Sequence, residues 1–523
     1  MNERNDVQNP VIGLDYPDPD VIRVDDTYYM VSTTMHFMPG CEILRSYDLI
    51  HWEHATFVYH YLDHTPAQKL DGKQNIYGKG MWAASLRYYK GIFYICFVAN
   101  DTHKTYLYRC ESINGLWKKS TINGFYHDAS LLFDDDDSVY IVYGNTDIHL
   151  LQLKSDLSGP LEGGINRVIV TEKDNLYLGY EGSHFYKING RYYLFLIHSM
   201  KNKWRRVEAC FSAESLLGEF TGGDVLNDDR GYCNQGVAQG GIVDTPDGKW
   251  YAILFQDHGA VGRIPILIPV IIDKNRVVFG KEGIIPSYFE MRNTQPAYQY
   301  LPLAGSDDFT VDENLPKDEK TVRYGCFGLS SIWQFNHEPD ISLVENDAVQ
   351  GWIAIKTDKL CENIMQAKNI LTQKMFFPQC SAEVTIDGKD MNNGDFSGIC
   401  AFQGCYGFVG LYKENDKYNI VMMNREAIDD SLQSHDNHYE GHIWEKIPCH
   451  NTKMQFCIKV DFRNMRDEAG FYYKQETKWK KIGPTHRLYF KMDHFTGCRF
   501  GLFIYSTEMT GGKTKFTHFV YNN

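Results

Sequence analysis

Residues 16–33 read YPDPDVIRVDDTYYMVST. The stretch VIRV is a short apolar strand, Asp25 and Asp26 form a tight polar turn, and the next strand opens on aromatics. That order is a β-hairpin. Four further stretches repeat it: SLRYYKGIFYICFVA (85–99), SLLFDDDDSVYIVYG (130–144), SHFYKINGRYYLFLIHS (183–199) and GGIVDTPDGKWYAILFQ (240–256). Alignment on the second strands brings Tyr29, Tyr94, Tyr140, Tyr193 and Tyr251 into register, at spacings of 65, 46, 53 and 58 residues. A repeat of that size in a β-rich chain is the mark of a propeller. Five copies predict a five-bladed β-propeller, with a catalytic domain over residues 1–300.

The rest of the chain is also read as β-structure. CSAEVTI (380–386), MQFCIKVDF (454–462) and FGLFIY (500–505) alternate with period two or run apolar, as sandwich strands do. The polar, Pro- and Gly-containing stretch 293–320 reads as a linker, and residues 301–523 as linker plus a C-terminal β-sandwich. The fold class is therefore all-β. The 35 Tyr and 30 Phe agree with it, since aromatics favour strands.

Net charge −14 and a pI of about 5.7 argue against nucleic acid or an anionic membrane as partner. The start, MNERNDVQNPV, has no apolar core of a secretion signal. The most apolar run, IPILIPVII (264–272), is too short to span a bilayer and carries Pro265 and Pro269. Thirteen scattered cysteines without a CxxC pair suggest reduced thiols and a cytoplasmic location. The sequence leaves a homo-oligomer open.

The repeat also carries chemistry. Twelve residues before each aligned Tyr (eleven in the first copy, whose turn is shorter) stand Asp18, Trp82, Asp128, Glu181 and Gln239. Equivalent positions in propeller blades are equivalent in space, so these residues are expected around the central axis. Three carboxylates there suit glycoside hydrolysis. One protonates the leaving oxygen, a second activates water, and a third adjusts the proton affinity of the acid. The Trp offers a flat face to a sugar ring. Asp20 lies one step into the strand, outside this station. Asp134 to Asp137 occupy a hairpin turn and are expected to be solvated.

The chain resembles glycoside hydrolase family 43, which holds β-xylosidases, α-L-arabinofuranosidases and arabinanases. The opening segment NPVIGLDYPDPDVIRVDDTYYMVSTT, FYHDASLLFDDDDSVYIVYG and GYEGSHFYKINGRYYLF are similar to the family's three acid-bearing segments. The resemblance implies that Asp18 is the general base, Asp128 the modulator and Glu181 the general acid. It also implies that Trp82, in GKGMWAASLRYYKGIFY, stacks on sugar, and that Arg263, in FQDHGAVGRIPILIPV, faces the substrate. Gln239 and His258 complete the expected substrate-binding residues. Departures are Ser183 in EGSH, WAA after the stacking position, and Gln239 in AQGG where many relatives carry His. The resemblance further implies a concanavalin A-like sandwich that lends a loop to the active-site mouth, turning a cleft into a pocket. The expected activity is inverting, exo-acting release of pentoses from small xylo- or arabino-oligosaccharides. Inversion requires the Asp18 and Glu181 carboxyls about 6.5–9.5 Å apart. An endo-arabinanase and a non-catalytic carbohydrate-binding propeller are the alternatives. No cofactor is expected for the chemistry, and a structural calcium ion is left open.

Overall fold

The computed structural model describes residues 4–273, 276–312, 314–315, 320, 323–324, 326–425 and 440–523. Five four-stranded antiparallel sheets come first. Blade 1 holds Asp20–Val24, Thr27–Ser32, Gly40–Ser46 and Glu53–Tyr59. Blade 2 runs from Met81–Tyr89 to Lys118–Ile122, blade 3 from Ser130–Phe133 to Asn166–Thr171, and blade 4 from Glu181–Ile188 to Thr221–Leu226. Blade 5 runs from Ala238–Asp244 to Arg276–Phe279. Each predicted hairpin supplies the first two strands of a blade, with Ile22 opposite Tyr29, Leu132 opposite Tyr140 and Tyr186 opposite Tyr193. The turns use the left-handed pairs that match strand twist: Lys90–Gly91 (φ 48° and 81°) and Asn189–Gly190 (φ 51° and 79°).

The blades are apolar on both faces, which is why they stack in a ring. A separate buried cluster fills each gap. Val31, Ile43, Leu86 and Ile95 lie between blades 1 and 2, and Val21, Leu44, Ile253 and Leu267 between blades 1 and 5. The ring closes where Arg4–Val7 pairs with Phe289–Arg292 and where Gly241 N donates to Pro19 O (2.8 Å).

Asp20 does more than enter a strand. Fully buried, it accepts from Leu86 N (2.8 Å) and Arg87 Nη1 (2.7 Å), and its other oxygen lies 3.2 Å from His184 Nδ1. It thus ties blades 1, 2 and 4 together. Burial pushes its carboxyl up, but Arg87, His184 and the Leu86 N–H outweigh this and hold it at about 2. Asp134 also departs from the solvated-turn reading. It is 6 % exposed and accepts from Lys187 and Tyr192, while Asp135 to Asp137 are exposed as expected.

Two seven-stranded sheets form the C-terminal sandwich. Gln334–Phe335 and His442–Cys449 edge the first, and Val344–Asp347 and Lys478–Arg487 the second. Of the expected linker, 313 and 316–319 lie outside the described residues. Its first part is strapped to blade 1 rather than free, because its tyrosines find buried partners there. Arg45 Nη2 donates to Tyr298 Oη (2.8 Å), and Leu301 N donates to Glu53 Oε2 (2.9 Å).

The sandwich is docked on the propeller through buried polar groups. Met38 and Phe335 exchange backbone hydrogen bonds (3.0 and 2.7 Å). Lys374 Nζ of the sandwich lies 2.8 Å from Glu42 Oε2 of blade 1 and 3.3 Å from the centre of the Tyr16 ring, all three being buried. Burial raises the Glu42 carboxyl, but Lys374 and His54 outweigh it and hold it at about 2. Removal of one partner strands the other charge. Lys374→Met is expected to lower stability by about 3–5 kcal/mol, and the added change Glu42→Gln to recover part of it. Urea denaturation followed by tryptophan fluorescence checks both. An unshifted midpoint for the single variant would mean the pair contributes nothing to docking.

Candidate active site

The inner strands end in geometry that turns side chains toward the axis. Asp18, Asp128 and Gln239 sit in the left-handed region, at φ 51°, 48° and 59°. That conformation is uncommon for residues with a Cβ, and here it redirects the chain at the strand's axial end. In blade 4 the left-handed residue is Gly182 (φ 65°), next to Glu181, and a Cβ there would come within 2.7 Å of Gln239 Cδ. Pairing register also shifts between Met81 and Ala84, Glu181 and His184, and Ala238 and Gly240. Such bulges re-aim the residues inside them, Trp82 and Gln239 among them.

Asp18, Trp82, Asp128, Glu181, Gln239 and Arg263 line one cavity of about 630 Å³. Asp18 is 6 % exposed and held at both oxygens. Thr33 Oγ1 donates to Oδ2 (2.7 Å) and Arg263 Nη1 to Oδ1 (2.9 Å). Asn145 Nδ2 donates to Glu181 Oε2, and the Glu181 side chain is 20 % exposed. Asp128 is 6 % exposed and accepts from Gly182 N (3.2 Å). Burial pushes its carboxyl up to about 7, with Glu181 and Asp18 adding to the rise and His127 opposing it. Next to Glu181 there is therefore a carboxyl that keeps its proton toward neutrality. The Trp82 ring faces His127 (5.9 Å) and Phe495 (5.4 Å), and its Nε1 has no hydrogen-bond partner among the described residues. A sugar hydroxyl could accept from it.

The sandwich roofs this cavity with Met465, Phe490, Lys491, Met492 and Phe495. Asp15 pins the roof to the wall, since its carboxylate accepts from Arg263 N and from Gly497 N (2.7 Å each). Gly497 is required at this approach, because a Cβ would lie 2.2 Å from Val261 O. Arg263 also donates to Phe495 O (3.4 Å), and its guanidinium lies 4.4 Å from the centre of the Phe495 ring.

His258 is the one expected substrate-binding residue that the structure puts elsewhere. It is 2 % exposed, stacks on Tyr232 (4.2 Å), meets Phe377 of the sandwich edge-on (4.5 Å), and does not line the cavity. Burial and Arg230 pull its imidazole down to about 3, so it is a neutral packing group. It follows Asp257, which ends the strand and lines the cavity, and leads into the turn Gly259–Val261, so its ring packs behind the wall rather than through it.

Several cavity residues had no sequence signal in the hairpin alignment. Arg206 begins the third strand of blade 4, and Asn145 and Asp257 end second strands, whereas the alignment compared the starts of first strands. Arg206 pairs with Asp257 and lies 5.1 Å from the centre of the Phe255 ring. His127 precedes Asp128 and brings its Nε2 to 3.7 Å from both Asp128 Oδ2 and Glu181 Oε2. These three residues hold ligand-type atoms within 4.8 Å of one another. The set does not suit calcium, which takes six to eight oxygens, because one of the three atoms is an imidazole nitrogen.

Residues 7–275 match the family model "Glycosyl hydrolases family 43", and residues 328–522 match "Beta xylosidase C-terminal Concanavalin A-like domain". A β-xylosidase of Formosa agariphila is 24 % identical, over 98 % of this chain and 90 % of its own. Xylosidase/arabinosidase 43B of Humicola insolens is 23 % identical, over 98 % of this chain and 97 % of its own. The solved structure of a bifunctional GH43-CE protein of Bacteroides eggerthii superposes with a TM-score of 0.88 at 38 % identity. That match covers 99 % of this chain, which spans 64 % of the larger protein.

Proposed function

The chain belongs to glycosyl hydrolase family 43, and on that premise we propose that it is an inverting, exo-acting glycosidase releasing single pentoses from xylo- or arabino-oligosaccharides. One observation carries the reading: carboxylates from three blades line a single cavity that the sandwich roofs. Asp18, ion-paired to Arg263 and fixed by Thr33, takes a proton from a water on one face of the sugar. That water attacks the anomeric carbon. Glu181 gives its proton to the departing glycosidic oxygen. Asp128, buried beside it, adjusts the charge the acid feels. Trp82 gives the pentose ring a flat face, and the roof of Phe490 and Phe495 favours a chain end over the interior of a polymer.

The names of the relatives, a β-xylosidase and a xylosidase/arabinosidase, support a pentose at the cleaved bond. The test is a panel of nitrophenyl β-xylopyranoside, nitrophenyl α-L-arabinofuranoside, xylo-oligosaccharides and linear arabinan, with the released sugar followed by proton NMR. The expected result is monomer release from at least one pentoside, with the inverted anomer appearing first. Retention would sink the Asp18 base assignment. A rapid viscosity drop in arabinan would favour endo action, and no turnover at all a binding propeller.

A further inference from the structure

His127 is the residue of the cavity that touches two of the three carboxylates. Its Nε2 lies 3.7 Å from Asp128 Oδ2 and 3.7 Å from Glu181 Oε2, and its side chain is 24 % exposed. Both distances are those of an ion pair rather than a hydrogen bond. The Trp82 ring stands 5.9 Å from the imidazole. We propose that His127 is a positioning residue that acts through Glu181: its imidazolium, held between the two carboxylates, orients the acid and makes it give up its proton more readily. The inference rests on the reading of Glu181 as the general acid.

The electrostatics support this. The carboxylates of Asp128, Glu181 and Asp18 all face the imidazole and, against the cost of burial, raise it to about 9, Asp128 having the largest effect. Each charge sustains the other: the Asp128 carboxylate is the largest cause of the raised imidazole, and the imidazolium opposes the rise of the Asp128 carboxyl. The other charged groups on the cavity wall are Arg206 and Asp257 of blades 4 and 5, Arg263 of blade 5, and Lys491 of the roof. Arg263 is engaged by Asp18 and Arg206 by Asp257. Arg206 also acts on Glu181 and Asp18, whereas the His127 imidazolium lies within ion-pair distance of both Glu181 and Asp128. A neighbouring positive charge favours the ionised carboxyl and so strengthens the acid. It opposes Asp128, which as a carboxylate does the reverse.

The experiment compares His127→Phe, His127→Gln and His127→Lys with the parent. Each is followed by thermal melting, by the pH profile of kcat/KM, and by two substrates of unequal leaving group, a dinitrophenyl pentoside and the unactivated disaccharide. The neutral variants Phe and Gln are expected to move the alkaline limb up by about one pH unit. They should also lower kcat on the disaccharide by about tenfold, and much less on the dinitrophenyl substrate, whose leaving group needs no proton. Lys is expected to bring the limb back toward the parent. If the limb stays where it was in both folded neutral variants, or if the loss is equal for both leaving groups, His127 is only packing and the inference fails. Glu181→Gln on the same two substrates separates the levels. If that variant keeps its activity on the disaccharide, the assignment of the acid itself is wrong.

Discussion

Asp18→Asn and Glu181→Gln each lower kcat/KM on an unactivated pentose disaccharide by roughly 10²–10⁴-fold, the range for loss of a positioned acid or base. The two variants are expected to part on a dinitrophenyl pentoside. Glu181→Gln recovers most of its rate there, because the leaving group departs without a proton. Asp18→Asn stays low, because water still needs its base. Both proteins should remain folded. Glu181 is partly exposed, and the amide of a Gln can accept the Asn145 hydrogen bond in its place. Asp18 is buried, but an Asn keeps an oxygen for Arg263 Nη1, while Arg263 Nη2 donates to Phe495 O. Steady-state kinetics with melting curves decide the matter. Residual activity above about a tenth on the disaccharide in either variant would overturn the corresponding role.

Acid is expected to undock the sandwich. His36 of blade 1 lies against His337 (5.4 Å between ring centres) and His494 (5.1 Å) of the sandwich, with Tyr77 stacked on His494 at 4.4 Å. All three histidines are buried, and among the described residues neither ring nitrogen of His36 or His494 has a hydrogen-bond partner. Burial holds all three imidazoles low: His494 at about 4, and His36 and His337 well below the usual histidine range. Arg499 adds to this at His36 and Arg425 at His494, while Asp493 opposes it at His494. A folded value below the unfolded one means that the unfolded chain takes up the protons. The stability contributed by these groups is complete above about pH 6.5 and is lost as the pH falls toward their folded values. A histidine contributes up to about 1.4 kcal/mol per pH unit well below its unfolded value, so His494 alone costs about 1.5 kcal/mol between pH 6.5 and 5, and His36 and His337 act in the same direction. The buried carboxyls Asp128, Asp395 and Asp467, raised to about 7, 6 and 6, pull the other way in the same window. The expectation is therefore best read as a difference. His494→Gln should lose about 1.5 kcal/mol less than the parent over that range. Because Phe495 follows His494 and roofs the cavity, activity should fall together with docking. Unfolding midpoints and activity at pH 7, 6 and 5 check both. Parallel pH curves for parent and variant would rule the cluster out.

Much of this protein was legible in its sequence, because the information was periodic. Five hairpins with aligned tyrosines fix five blades, since a blade apolar on both faces can bury itself only against two neighbours. The same register brings out Asp18, Asp128 and Glu181 as one station. The chain had to fold before the rest appeared. Asp20 looks like a strand residue until blades 2 and 4 bring Arg87 and His184 to it. His258 sits in a site-like motif but turns behind the wall onto Tyr232 and Phe377. Arg206 and the 490–495 roof reach the cavity from a third strand and another domain, and no spacing along the chain relates them to the acids, while His127 adjoins Asp128 but stands outside the aligned station. A repeat records what each blade does alike. The contacts that tune charge and close the pocket lie between unlike elements far apart in sequence, so only the tertiary structure decides them.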